Sequence, residues 1–197
     1  MNFLAHAHLS FHHSELLVGN MISDFVKGKK KFDYAEGIQQ GIALHRQIDS
    51  FTDEHVATKE AIALLKPAAG RYAGAFVDVA YDHFLANDTN EFTETTLQQM
   101  AEETYDVLDS FQPLLPEKFQ RMLPYMRQQN WLYNYSKLSG AKSSFGGVAR
   151  RAVYFDDFEN VFELFQYNYD ALQKCYAQFF PDIIKFSFQQ IELLKYS

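Results

Sequence analysis

The sequence has little that would cross-link, export or anchor it, with one cysteine, five prolines and no long apolar run. The single cysteine, Cys175, excludes an internal disulfide and a four-thiolate zinc site, and it favours a reducing compartment, which we take to be the cytoplasm. The opening MNFLAHAHLSFHHSELL carries histidines where a signal peptide needs a continuous apolar stretch. No window approaches the ~20 apolar residues that span a bilayer, so we predict neither export nor membrane anchoring.

Positive charge is also scarce. The chain has 18 Lys and Arg against 25 Asp and Glu, a formal net charge of -7, which disfavours nucleic acid and anionic membranes as partners. What the chain does have is 47 % hydrophobic residues and 16 % aromatic residues, 19 of them Phe. Over 197 residues this composition is enough for one domain, residues 1–197, built around an aromatic core.

The apolar residues recur at helical spacing, and no segment shows the period-two alternation of a strand. We predict an all-α fold, a single-domain multi-helix bundle. Four predicted helices cover residues 38–51, 57–65, 72–83 and 93–111. The second ends at Pro67, and an aromatic stripe from Phe155 to Tyr176 predicts a last helix that ends at Pro181. The glycine- and serine-rich segment 139–147 is predicted to be a flexible connection.

Several chemistries lack their motifs. The sequence contains no GxxxxGK[ST] phosphate loop, no GxGxxG, no GxSxG nucleophile elbow, no HExxH and no CxxC. It also lacks the Glu-x-x-His signature of ferritin-like di-iron bundles.

Histidine and aspartate instead form two clusters by spacing. His45 and Asp49 lie four residues apart, on one face of a predicted helix. Asp78 and Asp82 are also four apart and interrupt an apolar helix, where an unpaired carboxylate is costly. If the two helices pack together, these four residues would converge as ligands of a divalent metal, and Asp24 would add an oxygen. The alternative is that each one is a solvated carboxylate or a structural histidine.

Basic residues concentrate in two places. The run Lys27, Lys29, Lys30 and Lys31 is either a docking surface for an acidic partner or a solvated loop. Arg150 and Arg151 follow the glycine-rich segment, where a guanidinium group suits a phosphate, although a surface position is an equal alternative.

The blocks MNFLAHAHLS, GNMISDFVKG, GIALHRQIDSFTD and DVAYDHFLA resemble the acyl carrier protein phosphodiesterases, and weaker similarity extends to about Pro181. The resemblance implies a hydrolase that removes the 4'-phosphopantetheine arm from the serine of holo acyl carrier protein. It also implies a divalent metal, typically manganese, with magnesium or iron possible. The family is regarded as distantly related to the all-helical HD-type metal phosphohydrolases, so an HD-like bundle is expected.

The resemblance suggests roles for Asp24, His45, Asp49, Asp82, His83 and His6, to which helical spacing adds Asp78 and the needs of phosphoryl transfer add three arginines. The predicted metal ligands are Asp24, His45, Asp49, Asp78 and Asp82. The predicted catalytic residues are His6 and His83, which would move the proton, and Arg46, which would hold phosphate oxygens together with Arg150 and Arg151. The order Asp82-His83 departs from the His-Asp order of the HD pattern.

Two other functions remain open at this point. The same metal site is compatible with hydrolysis of a nucleotide or a small phosphate ester. A third hypothesis is a non-catalytic helical module that binds a carrier protein, because related scaffolds host different functions.

Overall fold

The structure is a computed structural model that describes residues 1–152, 155 and 157–194. In this part of the chain the regular structure is helical, with no strand, which confirms the all-α prediction. The α-helices are α1 (Phe3–His8), α2 (Ser14–Ile22), α3 (Glu36–Glu54), α4 (Val56–Ala69), α5 (Ala73–Ala86), α6 (Glu94–Ser110), α7 (Glu117–Gln128), α8 (Trp131–Asn134), α9 (Leu138–Arg151), α10 (Phe158–Tyr167) and α11 (Tyr169–Leu194). None of the helices described is long and apolar enough to cross a membrane.

Large aromatic rings fill the core. The ring of Tyr81 on α5 stacks on Phe179 of α11 with centroids 5.1 Å apart. On the same helix, Phe76 packs on Phe145 of α9, also at 5.1 Å. All four rings are fully buried, so α5 is the central helix between α9 and α11. Burying a ring of this size stabilises the fold by roughly 2 kcal/mol or more.

Helices α2 and α3 touch backbone to backbone. A Cβ atom at Gly19 would collide with the carbonyl oxygen of Ile38, and a Cβ at Gly41 would collide with the carbonyl oxygen of Leu16. Only glycine permits this approach at either position. The contact brings the middle of α2 against the first two turns of α3.

The short helix α1 is fixed by a buried carboxylate on α5. Asp82 accepts hydrogen bonds from the backbone N–H groups of Leu4 (2.8 Å), Asn2 (3.3 Å) and Ala5 (3.3 Å). The N–H groups at the start of a helix have no hydrogen-bond partner within the helix, so they need an acceptor of this kind. Burial raises the pKa of Asp82 to about 7, although the Met1 ammonium and these hydrogen bonds oppose the rise. Asp82 thus supplies the N-terminal cap of a helix that is distant in sequence.

Both proline predictions are wrong. Helix α4 continues past Pro67 to Ala69 and ends at Gly70, whose φ is +55°. Helix α11 continues past Pro181 to Leu194. A proline removes one intrahelical hydrogen bond, and in α11 this loss is outweighed by the burial of side chains after it, such as Ile183.

Two further predictions need correction. Segment 139–147 lies within α9 rather than in a loop, because Ala141, Phe145 and Val148 form a buried stripe at helical spacing. The aromatic stripe of the last third is two helices, not one, because α10 ends at Asn168 before α11 begins. Phe155 precedes α10 and packs on Phe76 with centroids 5.5 Å apart.

We expect the substitution Asp82→Ala to lower the free energy of unfolding by about 2–4 kcal/mol, because it leaves buried backbone N–H groups unpaired. Urea unfolding followed by far-ultraviolet circular dichroism measures this change. The control is Asp53→Ala, which removes an exposed aspartate and is expected to cost less than about 0.5 kcal/mol. Equal stability of the two variants would show that Asp82 does not hold α1.

Candidate metal centre

Three side chains from two helices converge on one point. His6 on α1 and His45 and Asp49 on α3 each offer one ligand atom, and these atoms lie within 4.8 Å of one another. The two imidazole rings are stacked with centroids 3.9 Å apart. Asp24, in the 3₁₀ turn Ser23–Phe25, places Oδ1 3.3 Å from His45 Nε2. We call these four residues the His/Asp cluster: His6, His45, Asp49 and Asp24.

Asn20, at the end of α2, fixes the orientation of both rings. Its backbone oxygen accepts a hydrogen bond from His45 Nδ1 at 2.8 Å. Its side-chain Nδ2 donates to the backbone oxygen of His6 (2.9 Å) and to Ser10 Oγ (3.1 Å), so its Oδ1 is the acceptor for His6 Nδ1 at 2.8 Å. Both Nδ1 atoms therefore carry hydrogen, and in the neutral rings both Nε2 atoms carry lone pairs.

Both Nε2 atoms are buried without a well-aligned hydrogen bond. His6 Nε2 lies 3.3 Å from Asp49 Oδ1, and His45 Nε2 lies 3.1 Å from Asp49 Oδ2. The neutral ring of His6 opposes the lone pairs of Nε2 and Asp49 Oδ1, which is unfavourable unless a cation lies between them, whereas a protonated His45 meets Asp24 and Asp49 as an ion pair. The donor set of two imidazoles and carboxylates is suited to a divalent transition metal.

The charges of the His/Asp cluster shift the pKa values of its members in opposite directions. Burial, together with the neighbouring charge of His45, lowers the pKa of His6 to about 4. Burial would also lower the pKa of His45, but Asp24 and Asp49 outweigh it and raise this pKa to about 9. Burial would raise the pKa of Asp49, yet the two histidines hold it well below its usual range. Contact with His45 likewise lowers the pKa of Asp24.

Asp78 lies beside the His/Asp cluster and is joined to it by a cation. The Met1 ammonium group contacts Asp78 Oδ1 at 3.0 Å and Asp49 Oδ1 at 3.4 Å. Burial raises the pKa of Asp78, and the ammonium group opposes that rise. The Met1 ammonium group therefore neutralises the charge of Asp78. Asp78 does not belong to the group of His6, His45 and Asp49, whose ligand atoms lie within 4.8 Å of one another.

Asp82 and His83 also lie outside that group of three. The carboxylate of Asp82 caps α1, as described above. His83 Nδ1 donates to the backbone oxygen of Tyr135 at 2.7 Å, and its Nε2 lies 2.9 Å from the hydroxyl of Tyr169. Both ring nitrogens are thus occupied, and burial lowers the pKa of His83.

The three predicted arginines are in different surroundings. Arg46 is exposed and donates from Nη2 to the backbone oxygen of Val26 at 3.4 Å. Arg151 lines the cavity above the His/Asp cluster, whereas Arg150 lines a neighbouring cavity. In the part of the chain that is described, neither Arg150 nor Arg151 forms an ion pair.

A cavity of about 630 Å³ opens onto the His/Asp cluster, and the other charged residues that line it in the described part of the chain are basic. They are Lys27 and Lys30 from the predicted lysine run, Lys118 from α7, and Arg151 from α9. Exposed Lys29 and half-buried Lys31 are neighbours of these residues in the chain but do not line the cavity. An anionic group that entered the cavity would meet carboxylates at the base and cations around the rim, so it would need a cation at the base.

Two residues of this site escaped sequence reasoning. The sequence around Asn20 shows only a Gly-Asn pair after apolar residues. It gives no sign that Asn20 contacts two histidines, because both are distant in sequence. Lys118 lies 87 positions after Lys31 in the sequence and belongs to an ordinary amphipathic helix. Only the packing of α7 beside the lysine run brings the two together.

The comparisons with known proteins cover nearly the whole chain. The family model described as acyl carrier protein phosphodiesterase matches residues 1–183. A protein named acyl carrier protein phosphodiesterase from Photorhabdus laumondii is 30% identical over 182 residues, which cover 92% of this chain and 92% of that protein. A protein of the same name from Enterobacter sp. strain 638 is 31% identical over 182 residues, which cover 92% of this chain and 94% of that protein. One from Klebsiella pneumoniae strain 342 is 30% identical over 186 residues. No solved structure is significantly similar. The chain belongs to the acyl carrier protein phosphodiesterase family.

Proposed function

We propose that this protein hydrolyses the phosphodiester that joins 4'-phosphopantetheine to the serine of holo acyl carrier protein. Water adds its oxygen to phosphorus, the bond from phosphorus to the serine oxygen breaks, and the serine oxygen takes up a proton. The products are apo carrier protein and 4'-phosphopantetheine. Membership of the family and a basic cavity above the His/Asp cluster support this function.

The observation that carries the proposal is the convergence of His6, His45 and Asp49, whose ligand atoms lie within 4.8 Å of one another, with Asp24 Oδ1 3.3 Å from His45 Nε2. We propose that His6, His45, Asp49 and Asp24 hold a divalent cation there, with manganese as the first choice and magnesium or iron as alternatives. Such an ion would supply Lewis acidity and lower the pKa of a bound water. Asp78 and Asp82, the other predicted ligands, are engaged with the Met1 ammonium and with α1.

The remaining charges fit the needs of phosphoryl transfer, which are positioning and charge stabilisation. Arg151 lines the cavity and is placed to hold a non-bridging oxygen. Of the two histidines predicted for proton transfer, His6 lines the cavity but is assigned here to the cation, and His83 has both ring nitrogens occupied, so neither is given the proton-transfer role in this proposal. Arg46 and Arg150 lie outside this cavity lining, so we assign the phosphate first to Arg151.

An acidic protein substrate requires a basic docking surface. We propose that Lys27, Lys30 and Lys118 form it, with Lys29 and Lys31 extending it along the exposed 3₁₀ segment Gly28–Asp33. The surface surrounds the mouth of the cavity, so a docked carrier protein would present its modified serine to the His/Asp cluster.

Two broader predictions belong to the same proposal. The chain acts as one helical domain over residues 1–197 with an HD-like arrangement. It works in the cytoplasm, because its only cysteine, Cys175, is a free and buried thiol. No nucleic acid or membrane partner is proposed.

The function is tested by mass spectrometry of the carrier protein. Metal-stripped enzyme is incubated with holo acyl carrier protein, with and without manganese, and we expect loss of the phosphopantetheine mass only with metal. Asp49→Asn should abolish the loss, whereas Asp53→Asn, one turn further along α3, should not. Absence of cleavage by folded, metal-loaded enzyme would overturn the proposal, and turnover of nucleotides instead would favour the small-substrate alternative.

The role of Asn20 is tested by metal affinity. We expect Asn20→Ala to weaken manganese binding by about 10–100-fold, because His6 loses the side-chain oxygen that orients its ring, while the backbone acceptor of His45 remains. Isothermal titration calorimetry measures the affinity, and circular dichroism checks the fold. The matched control is Ser10→Ala, which disturbs the same buried network but touches neither ring. Equal manganese affinity of the two variants would contradict a positioning role.

The docking surface is tested by steady-state kinetics at low and high salt. The double variant Lys30→Gln/Lys118→Gln should raise KM for holo carrier protein about tenfold at low salt, and the difference should shrink at high salt because exposed charges are screened. Lys66→Gln, an exposed lysine on α4, is the control. An unchanged KM at low salt would remove these lysines from the docking surface.

A further inference from the structure

A second cavity, of about 180 Å³, adjoins the one above the His/Asp cluster. Asn2, Phe3 and Arg151 line both cavities, so Arg151 lies at their junction. The second cavity extends away from the lysines, between the segment that contains α8 and one face of α9. A third cavity, of about 280 Å³, leaves the first on the other side and shares Lys30 and Lys118 with it.

The second cavity differs from the lysine side in chemistry. Its α9 face presents small residues at helical spacing: Gly140, Ser143, Ser144 and Gly147. Opposite them lie the side chains of Trp131, Gln129 and Asn134, which combine an aromatic surface with two amides. The indole N–H of Trp131 donates to Gln129 Oε1 at 2.9 Å and thereby orients that amide. Among the described residues that line this cavity, the two arginines are the charged ones and the others are uncharged.

We propose that this second cavity, the arm cavity, binds the pantetheine arm of the substrate. The inference rests on the proposed function and adds the direction in which the substrate lies. A phosphodiester bound at the His/Asp cluster has two substituents, an acidic protein on one side and an uncharged chain with two amides, a hydroxyl and a dimethyl group on the other. The lysine side suits the protein, and the arm cavity suits the chain.

The pairing of groups supports this assignment. The amides of Gln129 and Asn134 and the hydroxyl of Ser143 offer donors and acceptors to the amides of the arm. The faces of Trp131 and the small α9 residues offer apolar contact for its methyl groups. Arg151 at the junction meets the phosphate that remains attached to the arm after cleavage, so 4'-phosphopantetheine would occupy both cavities at once.

Gly147 provides a clean way to fill the arm cavity. A Cβ atom there would meet only the end of the Arg150 side chain, at 3.7 Å, whereas a Cβ at Gly140 would collide with the carbonyl oxygen of Asn134. Leucine is also a better helix former than glycine, so Gly147→Leu should not destabilise α9. Ser143→Leu, at an exposed position on the same face, is a second variant that narrows the arm cavity.

The experiment compares binding of two probes, 4'-phosphopantetheine and inorganic phosphate, by isothermal titration calorimetry with manganese present. We expect wild-type protein to bind 4'-phosphopantetheine at least about tenfold more tightly than phosphate. Each leucine variant should bind 4'-phosphopantetheine about tenfold more weakly than the wild type and bind phosphate with unchanged affinity. The control is Gly74→Leu, where a Cβ has nothing nearer than Ile62 at 3.8 Å and the residue lines none of these three cavities.

Each outcome decides the arm cavity separately from the function. Equal affinity of wild-type protein for the two probes would overturn the arm cavity, and so would leucine variants that bind 4'-phosphopantetheine like the wild type. If carrier protein is cleaved in either case, the proposed function survives without this arm cavity. If 4'-phosphopantetheine binding depends on Gly147 while carrier protein is not cleaved, the arm cavity stands and the catalytic proposal fails.

Discussion

The contact between Gly19 and Gly41 is the constraint on which the site depends. Because neither residue has a side chain, α2 and α3 approach to backbone contact. At that separation the carbonyl oxygen of Asn20, one residue after Gly19, reaches Nδ1 of His45, one helical turn after Gly41. A larger residue at either glycine would move α2 away and take with it the amide that also holds His6. The geometry of the His/Asp cluster is therefore set by two residues that have no side-chain functional group.

Electrostatic neutralisation explains why acidic groups can gather here. Asp49 and Asp78 share the Met1 ammonium group, which keeps a high pKa of about 11 because these carboxylates outweigh the effect of burial. His45, with its raised pKa, neutralises Asp49 further and Asp24 as well. A divalent cation would displace the proton of His45 and take over its role toward both carboxylates. The arrangement thus has the charge balance of a cation site even when that place is held by a proton.

Much of the fold followed from local pattern, and the failures have identifiable causes. The helix over 93–111 was predicted to within a residue because Thr93 is a strong N-cap and the apolar spacing is regular. Segment 139–147 was predicted as a loop from its glycines and serines. These small residues instead lie on one face of α9, where small side chains leave room for a cavity. Pro181 was read as a helix end, although tertiary burial on both sides of it decides otherwise.

The i, i+4 spacing placed one predicted pair, His45 and Asp49, in the cluster, while Asp78 and Asp82 at the same spacing lie outside the group of three. The i, i+4 relation of His45 and Asp49 places both on one face of α3, and the structure brings both to the cluster. Asp82 and His83 are neighbours, so their side chains leave α5 about 100° apart. One caps α1 and the other binds the carbonyl oxygen of Tyr135. Their pairing in the sequence therefore reflects two separate packing roles, and α5 contributes to the site by holding the segment that carries His6.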